Sequence, residues 1–500
     1  MPDIRLTSSI MRSSVPLVEL PEFRAQQDPS GKCLSANSGA LSNAQFANAV
    51  CAATAKLAHL GVKRGDIVAV MLPNRAEMIV ALFATWRLGA AVTPINPALT
   101  APEASYQIVD SGAKVILVDA DTAERTQSST SVAIFAEDLV RGDHDAVETR
   151  FHPDPTDLAL LIYTSGTTGK PKGVMIDHAN IAAMCESMIA ALELTNSDRS
   201  LLVLPLFHAN GLIVGTISPL WAGGSVAIAP RFDAKQFWAI VAAERPTYFS
   251  AVPTMYAMLA ALPPEASADT SSLRFVICGA AQMPAGRITD FEARYGVPIV
   301  EGYGLSEGTV ASTLNPLHGI HKPGTVGLAL PGQTVAVVDE NGRQLPQGER
   351  GEVVIGGPTV MSGYWNRPAE SAAALRGGVL HTGDIGFFDP DGYLVLVDRL
   401  KDMIIRGGEN IYPKEIEDVL YSHPAVLEAA VIGKPDPRLG EVVLAYVALK
   451  DGAMISEAEL LGYCKTSLAP YKVPSAIFIE AQLPKNSVGK IIKGPLREKS

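Results

Sequence analysis

The chain has 500 residues, 47% hydrophobic and 19% charged, the composition of a globular enzyme too long for a single comfortable core. Its 41 basic and 52 acidic side chains, with no block of lysine or arginine, argue against a nucleic-acid partner. Cys33, Cys51, Cys185, Cys278 and Cys464 are scattered without C-x-x-C spacing, which excludes a disulfide framework or zinc ribbon and fits a reducing, cytoplasmic setting.

At the N-terminus, Met1–Pro16 carries Arg5, Arg12 and Asp3 but no apolar run, so a secretory signal is not expected, while a short transit-like segment stays open. Apolar and alanine residues recur at helical spacing over Leu41–Leu60, and Gly61–Asp66 then turns into a strand at Ile67–Met71. Helical spacing over Ala76–Leu88 leads through Gly89 to a strand at Ala90–Ile95. A further helix, Ala101–Asp110, leads to the strand Val115–Val118. This alternation predicts a parallel or mixed sheet with helices over its faces, and no internal repeat interrupts it.

Leu158–Ile162 reads as a buried strand that delivers Tyr163-Thr164-Ser165-Gly166-Thr167-Thr168-Gly169-Lys170-Pro171-Lys172-Gly173-Val174 as a loop. Its glycines let backbone N–H groups turn toward an anion, Thr164, Ser165, Thr167 and Thr168 add hydroxyl donors, and Lys170 and Lys172 add charge. A mobile Ser/Thr/Gly linker has a similar composition, but the lysines and the preceding strand favour a cradle for phosphate oxygens. It is not an NTPase P-loop: Gly166 and Gly169 are too close, and Pro171 follows the lysine where Ser or Thr is needed.

Read whole, this stretch resembles the phosphate-binding motif of the adenylate-forming superfamily of acyl-CoA synthetases, peptide-synthetase adenylation domains and luciferases. The resemblance runs from about residue 40 to the C-terminus. It implies an α/β and α+β architecture: a large N-terminal adenylation domain (1–399) of layered αβ subdomains plus a β subdomain, and a small mobile C-terminal α+β domain (400–500). Thr164 is expected to act in catalysis as well as in nucleotide binding.

Further along, Ser200–Pro230 contains no Asp, Glu, Lys or Arg, but its prolines, His208, Asn210 and Gly223-Gly224 break it into strand-length pieces, so a buried core is expected and integral membrane association is not. A lone histidine after an apolar strand is usually a satisfied core residue. The resemblance instead places Pro205-Leu206-Phe207-His208-Ala209-Asn210-Gly211 beside the acyl pocket, with His208 positioning substrate. Phe249–Pro253 and Phe275–Cys278 read as strands, the second ending in Gly279-Ala280-Ala281, which by resemblance faces adenine and by itself is a tight turn. Tyr248, Val252, Gly279, Gly302 and Ala311 are expected to join His208 in the acyl pocket.

In Val300-Glu301-Gly302-Tyr303-Gly304-Leu305-Ser306-Glu307-Gly308 the glycine spacing fails the dinucleotide fingerprint. It resembles the superfamily's Tyr-Gly-x-Thr-Glu, which implies that Glu301, Gly302, Tyr303, Gly304 and Ser306 bind nucleotide and that Glu307 holds Mg²⁺, a role suited to a hard oxygen ligand. Isolated glutamates are mostly solvated, so this role depends on the motif.

Rising glycine density from Gly324 to Gly357, with alternating runs at Val335–Val338 and Gly351–Ile355, suggests a small β subdomain. Asp384, in His381-Thr382-Gly383-Asp384, reads locally as a turn former; the resemblance makes it the acceptor for the ribose hydroxyls, with Arg399 beside it. Lys401 falls where the superfamily has its hinge. Gly407 and Gly408 would let a pantetheine arm pass close to backbone, although a bare Gly-Gly turn fits too. A helix at Lys414–Tyr421, strands at Glu428–Ile432, Val442–Ala448 and Ala476–Ile479, and a helix at Ser456–Leu468 complete a compact unit. Lys490, in the Pro-Lys…Gly-Lys pattern near the C-terminus, matches the adenylation lysine.

The resemblance thus implies ATP, Mg²⁺ and CoA, a small-molecule carboxylic acid as substrate, and a monomer or homodimer. An acid–CoA ligase leads. A close rival passes acyl-AMP to an amine or to a carrier-protein thiol, and a catalytically silent nucleotide-binding protein stands in another class. Small and aromatic acids are favoured over long chains, because no extra basic and apolar membrane-facing surface is evident.

Overall fold

The computed structural model describes residues 15–36, 39–126, 131–140, 153–164, 170–263, 269–281, 283–407, 409–485 and 491–499. Ser165–Gly169, Gly408 and Lys490 lie outside the described residues.

Strand alternation explains the layering. Along the strand Ile67–Val70, Val68 and Val70 face one apolar cluster, while Ile67 and Ala69 face another. A strand buried on both faces must be apolar at every position, which is why such runs read as continuous rather than alternating. This strand lies inside a seven-stranded sheet ordered Gly363–Tyr364, Lys172–Asp177, Leu158–Thr164, Ala91–Pro94, Ile67–Val70, Val115–Val118, Val132–Phe135. Its middle pairings are parallel, whereas Leu158–Thr164 pairs antiparallel with Lys172–Asp177.

A second, nine-stranded sheet runs Leu328–Ala329, Thr313–Leu314, Ile299–Tyr303, Val276–Cys278, Tyr248–Ala251, Arg199–Leu202, Ser225–Ile228, Lys32–Ala36, Gly39–Ser42. One large core lies between the sheets. It joins Val68, Leu160 and Ile162 of the first to Leu202, Tyr248 and Ile277 of the second through helices Asn43–His59, Ala76–Arg87 and His178–Leu192. The outer face of the nine-stranded sheet is covered by helices Ala234–Glu244, Pro253–Ala260 and Ala285–Tyr295. Helix and strand positions follow the sequence expectations closely, and Val115–Val118 is reproduced end to end.

Two expectations are corrected. Ser200–Pro230 falls into strand-length pieces only at its ends, in Arg199–Leu202 and Ser225–Ile228; between them Asn210–Ile217 is a wide helical turn continued by Ser218–Trp221, with Pro219 in the first turn, where a missing N–H costs nothing. Asp384 sits within the strand Leu380–Phe388, not in a turn, and that strand belongs to a four-stranded antiparallel sheet, Thr334–Val338, Gly351–Gly356, Leu380–Phe388, Leu394–Arg399, which is the β unit expected after Gly324.

Beyond Arg399, a five-stranded sheet (Ile404–Arg406, Glu409–Ile411, Val426–Asp436, Gly440–Leu449 and Ala476–Glu480) packs with helices Pro413–Ser422 and Glu457–Ser467. Its two apolar clusters draw only on residues after Arg399. Among the described residues no helix is long and apolar enough to cross a membrane.

Close packing dictates one glycine in the site motif. A Cβ on Gly304 would stand 2.1 Å from the Val310 carbonyl oxygen, so backbone would have to move. Gly304→Ala is therefore expected to lower the thermal midpoint. Gly286→Ala, at an exposed helical position with nothing within 4 Å of the new methyl, is expected to hold or raise it by favouring helix. Thermal melts of the two variants check both signs.

Candidate functional site

In open α/β sheets, ligands gather beyond the carboxyl ends of the parallel strands. Here those ends deliver Thr164 from Leu158–Thr164, Val252 from Tyr248–Ala251, Gly279 from Val276–Cys278 and Tyr303 from Ile299–Tyr303. Most of these termini open onto a cavity of about 160 Å³, lined by His208, Asn210, Val252, Gly279, Gly302, Tyr303, Ser306 and Ala311 together with apolar side chains.

The phosphate-loop stalks form an antiparallel pair with Thr164 opposite Lys172. The ammonium of Lys172 lies 5.2 Å from the ring centre of Tyr364, whose hydroxyl donates to Glu307 Oε1 at 2.9 Å. Tyr364 comes from a short strand paired with Lys172–Asp177 and so connects the loop base to the proposed metal carboxylate. It was not anticipated from the sequence. A hydrophobic-looking Gly363-Tyr364-Trp365 carries no sign that its tyrosine touches a glutamate nearly sixty residues earlier. Burial, then the Glu307 carboxylate, holds the Tyr364 phenol well above its ordinary value, so it remains a donor.

A second group joins the nine-stranded sheet to the β unit. Tyr303 donates to Asp384 Oδ2 at 2.6 Å, and Arg399 Nε pairs with Asp384 Oδ1 at 3.0 Å. Asp384 and Arg399 are cross-strand partners, so the hairpin register delivers the pair. An ionised carboxylate offers about four lone-pair sites, which leaves acceptor capacity for hydroxyl groups. Burial, then the Asp384 charge, also keeps the Tyr303 phenol protonated.

His208 is packed on Phe207 with ring centres 4.3 Å apart, and burial pushes its imidazole down to about 4. It is therefore neutral near pH 7 and can orient a carboxylate by hydrogen bonding but not by charge. Among the described residues its Nε2, and Asn210 Oδ1 beside it, have no hydrogen-bond partner, and both residues line the cavity.

Other expected site residues stand elsewhere. Tyr248 does not line the cavity: it is fully buried, stacked on Phe275 with its hydroxyl on the Val214 carbonyl at 3.0 Å, because its side chain falls on the core face of the strand. Ala280 lines the cavity in a left-handed conformation, whereas Ala281 is exposed outside it. Glu301 is 2% exposed and turned away from the cavity, accepting from the Met283 N–H at 2.7 Å. Its carboxylate thereby braces the turn after Gly279. Gly407 is an exposed residue with positive φ at the tip of the Ile404–Ile411 hairpin, outside the cavity lining. No group of three or more His, Cys, Asp or Glu forms a metal cluster among the described residues, and Glu307 stands as a single carboxylate, the arrangement that suits an ion carried mainly by phosphate oxygens.

Residues 22–365 match the family model described as AMP-binding enzyme, and residues 415–490 that of the AMP-binding enzyme C-terminal domain. A feruloyl-CoA synthase from Amycolatopsis sp is 40% identical over 489 residues, covering 96% of this chain and 98% of that protein. ATP-bound MatB from Rhodopseudomonas palustris superposes with a TM-score of 0.89 at 33% identity, over 96% of this chain and 98% of that one. The o-succinylbenzoate CoA synthetase from Bacillus subtilis, in complex with its acyl-adenylate intermediate, gives 0.88 at 32% identity, over 96% and 98%.

The buried Glu301 generates a pH prediction. Burial raises its carboxyl from 4.5 to about 7, and among the described residues its Oε2 has no partner. A carboxyl raised on folding contributes stability that is complete below pH 4.5 and lost as pH rises through 7. Glu301→Gln, which cannot ionise, is expected to match the wild type near pH 4 and to be the more stable by up to about 3 kcal/mol at pH 8, as read by denaturant titration at both pH values.

Proposed function

The chain belongs to the AMP-binding enzyme family, and from that premise we propose that it is an ATP-dependent carboxylic acid–CoA ligase working through an acyl-adenylate. The observations that carry the reading are the antiparallel stalks at Thr164 and Lys172, linked through Tyr364 to Glu307, and the Tyr303–Asp384–Arg399 group, whose Tyr303 lines the cavity. Similarity to an ATP-bound structure, to one holding an acyl-adenylate and to a CoA synthase supports the two half-reactions.

In the first step a carboxylate oxygen attacks the α-phosphorus of ATP, the bond to the bridging oxygen breaks and pyrophosphate leaves. In the second the CoA sulfur attacks the acyl carbon, the C–O bond to AMP breaks, and AMP departs with the electron pair. Both anions of the first step repel, so cations must offset the charge. Lys490 is assigned to the attacking carboxylate and the α-phosphate, and Thr164 through Lys170, with Lys172, to the departing phosphates. Asp384 and Arg399 are assigned to the ribose, Tyr303 with Gly279 and Ala280 to the adenine, and His208 to the incoming acid. Glu307 would hold Mg²⁺, which when bound lowers the cost of charge on the phosphate oxygens. Lys401 is assigned as the hinge for a rotation of the unit after Arg399 that withdraws Lys490 and brings Gly407-Gly408 toward the acyl-AMP. The free cysteines, four of them buried, fit a reducing, cytoplasmic setting.

The acid is read as compact. A dry cavity of about 150 Å³ in a protein core holds one benzene ring, and the cavity here is of about 160 Å³, part of it against the adenine-facing strip. Single-ring and short acids are expected to release pyrophosphate from ATP at least about tenfold faster than a sixteen-carbon acid, on the scale at which apolar pockets discriminate. With CoA present, mass spectrometry should find acyl-CoA and AMP; an amide or a carrier-bound acyl group would favour the rival acceptor, and ADP with orthophosphate would refute the reading altogether.

Lys490→Ala is expected to abolish acid-dependent pyrophosphate release while thioester formation from synthetic acyl-AMP persists. Equal loss in both assays counts against the assignment of the lysine to the first step.

A further inference from the structure

The helix Ala101–Ser111 is set by its own sequence. Thr100 and Glu103 form a capping box at its start, Pro102 sits in its first turn, and Gly112 ends it in a left-handed conformation. Tyr106 and Asp110 are four residues apart on this helix and so share a face. That face meets both stalks of the glycine-rich segment. Asp110 Oδ2 accepts from the Tyr163 hydroxyl at 2.8 Å, just before the segment. The Tyr106 hydroxyl donates to the Pro171 carbonyl at 3.1 Å, just after it, and the Lys170 ammonium lies 5.6 Å from the Tyr106 ring centre.

Arg367 closes the arrangement. Its guanidinium pairs with Asp110 Oδ1 at 2.9 Å and reaches the Tyr106 hydroxyl at 3.3 Å. Trp365 Nε1 donates to the Asp110 carbonyl at 3.1 Å, and the Trp365 N–H to the Gly173 carbonyl at 2.8 Å. Helix, both stalks and the 363–367 edge are thus held by one small polar network whose carboxylate is largely buried.

We propose that Tyr106, Asp110 and Arg367 are positioning residues that fix the two ends of the phosphate-binding segment, so that Thr164 and Lys170 face the β- and γ-phosphates of ATP. The proposal rests on the ATP-dependent reading above. Anchoring the stalks at Tyr163 and Pro171 sets Thr164 and Lys170 in place before the nucleotide arrives, which lowers the ordering cost of binding it. None of the three side chains lines the cavity, and they are assigned to act through the segment and not on the nucleotide itself. Their effect falls on the phosphates beyond the α position and spares groups bound by Tyr303, Asp384 and Arg399.

That selectivity separates positioning from plain structural support. In the full-length enzyme, dissociation constants for α,β-methylene-ATP and for AMP are measured by calorimetry in the wild type, Tyr106→Phe and Asp110→Asn. Each variant is expected to weaken the triphosphate analogue by about tenfold, the scale of one lost charged or well-aligned hydrogen bond, while AMP binding stays within about twofold. Thioester formation from synthetic acyl-AMP, which needs no β- or γ-phosphate, should be unchanged. Tyr106→Phe keeps the ring under Lys170 and removes only the hydroxyl, so it remains informative if Asp110→Asn folds poorly. Parallel weakening of AMP and the analogue, or no change in either, overturns the proposal; a wild type that binds neither nucleotide refutes the ATP reading itself.

Discussion

The buried carboxylate of Asp384 is the constraint on which the site depends. At 6% exposure it must be satisfied locally, and it draws one donor from each of two sheets: Tyr303 at the end of a strand in the nine-stranded sheet and Arg399 from the neighbouring strand of the β unit. Leaving such a group unpaired would cost several kcal/mol. The need to pair it therefore fixes how the β unit sits against the strand ends. The cavity lies on the Tyr303 side of this join, so the wall of the pocket and the proposed ribose site are set by one interaction.

The rest of the site is built on the same principle, with polar atoms held in place by burial but not fully satisfied. His208 Nε2 and Asn210 Oδ1 line the cavity without partners among the described residues, on a helical turn whose Gly211 packs against the Pro205 carbonyl with no room for a Cβ. Unsatisfied buried acceptors and donors are rare in packed interiors because each costs free energy, and a ligand that reaches them recovers that cost. An acid carrying a hydrogen-bonding substituent would recover more of it than a plain hydrocarbon. A neutral imidazole at this position can act on a ligand by geometry and not by charge, so charge stabilisation is proposed for the lysines.

Much of this was legible in the amino-acid pattern. Helix and strand positions followed hydrophobic period, because strands covered on both faces and helices covered on one leave different traces. The adenylation motifs were visible because their glycines and hydroxyls are packed too densely for chance. What escaped was tertiary. Asp384 read as a turn former because Gly383 precedes it, yet the +70° φ of Gly383 only bends a strand that continues on both sides. Tyr248 read as pocket-lining from its neighbourhood, but alternation along Tyr248–Ala251 turns it into the core between the sheets. Tyr364, Tyr106, Asp110 and Arg367 carry no local mark at all. Their partners lie tens to hundreds of residues away in sequence: the pairing of Gly363–Tyr364 with Lys172–Asp177 brings Tyr364 and Arg367 to the loop, and the packing of the helix Ala101–Ser111 brings Tyr106 and Asp110.

The boundary after Arg399 has mechanical consequences. Among the described residues no apolar cluster spans it, and the contacts across it include Arg350 with Glu415 at 3.0 Å and over the Tyr412 ring, the Lys414 N–H with Asp398 at 2.8 Å, and Arg287 with the Leu427 carbonyl at 3.0 Å. A part-exposed ion pair such as Arg350–Glu415 is worth about 1 kcal/mol or less, and a single hydrogen bond about the same. Within the C-terminal unit, by contrast, Glu415 is also bound by Lys472, and Glu417 by Lys493 at 2.8 Å around a continuous apolar core. The apolar core of the unit is thus its own, and what joins it to the rest among the contacts named is largely polar. A rotation about the segment at Lys401 would exchange a few weak polar contacts for others and leave both cores intact, which is the condition for one small domain to serve two half-reactions in turn.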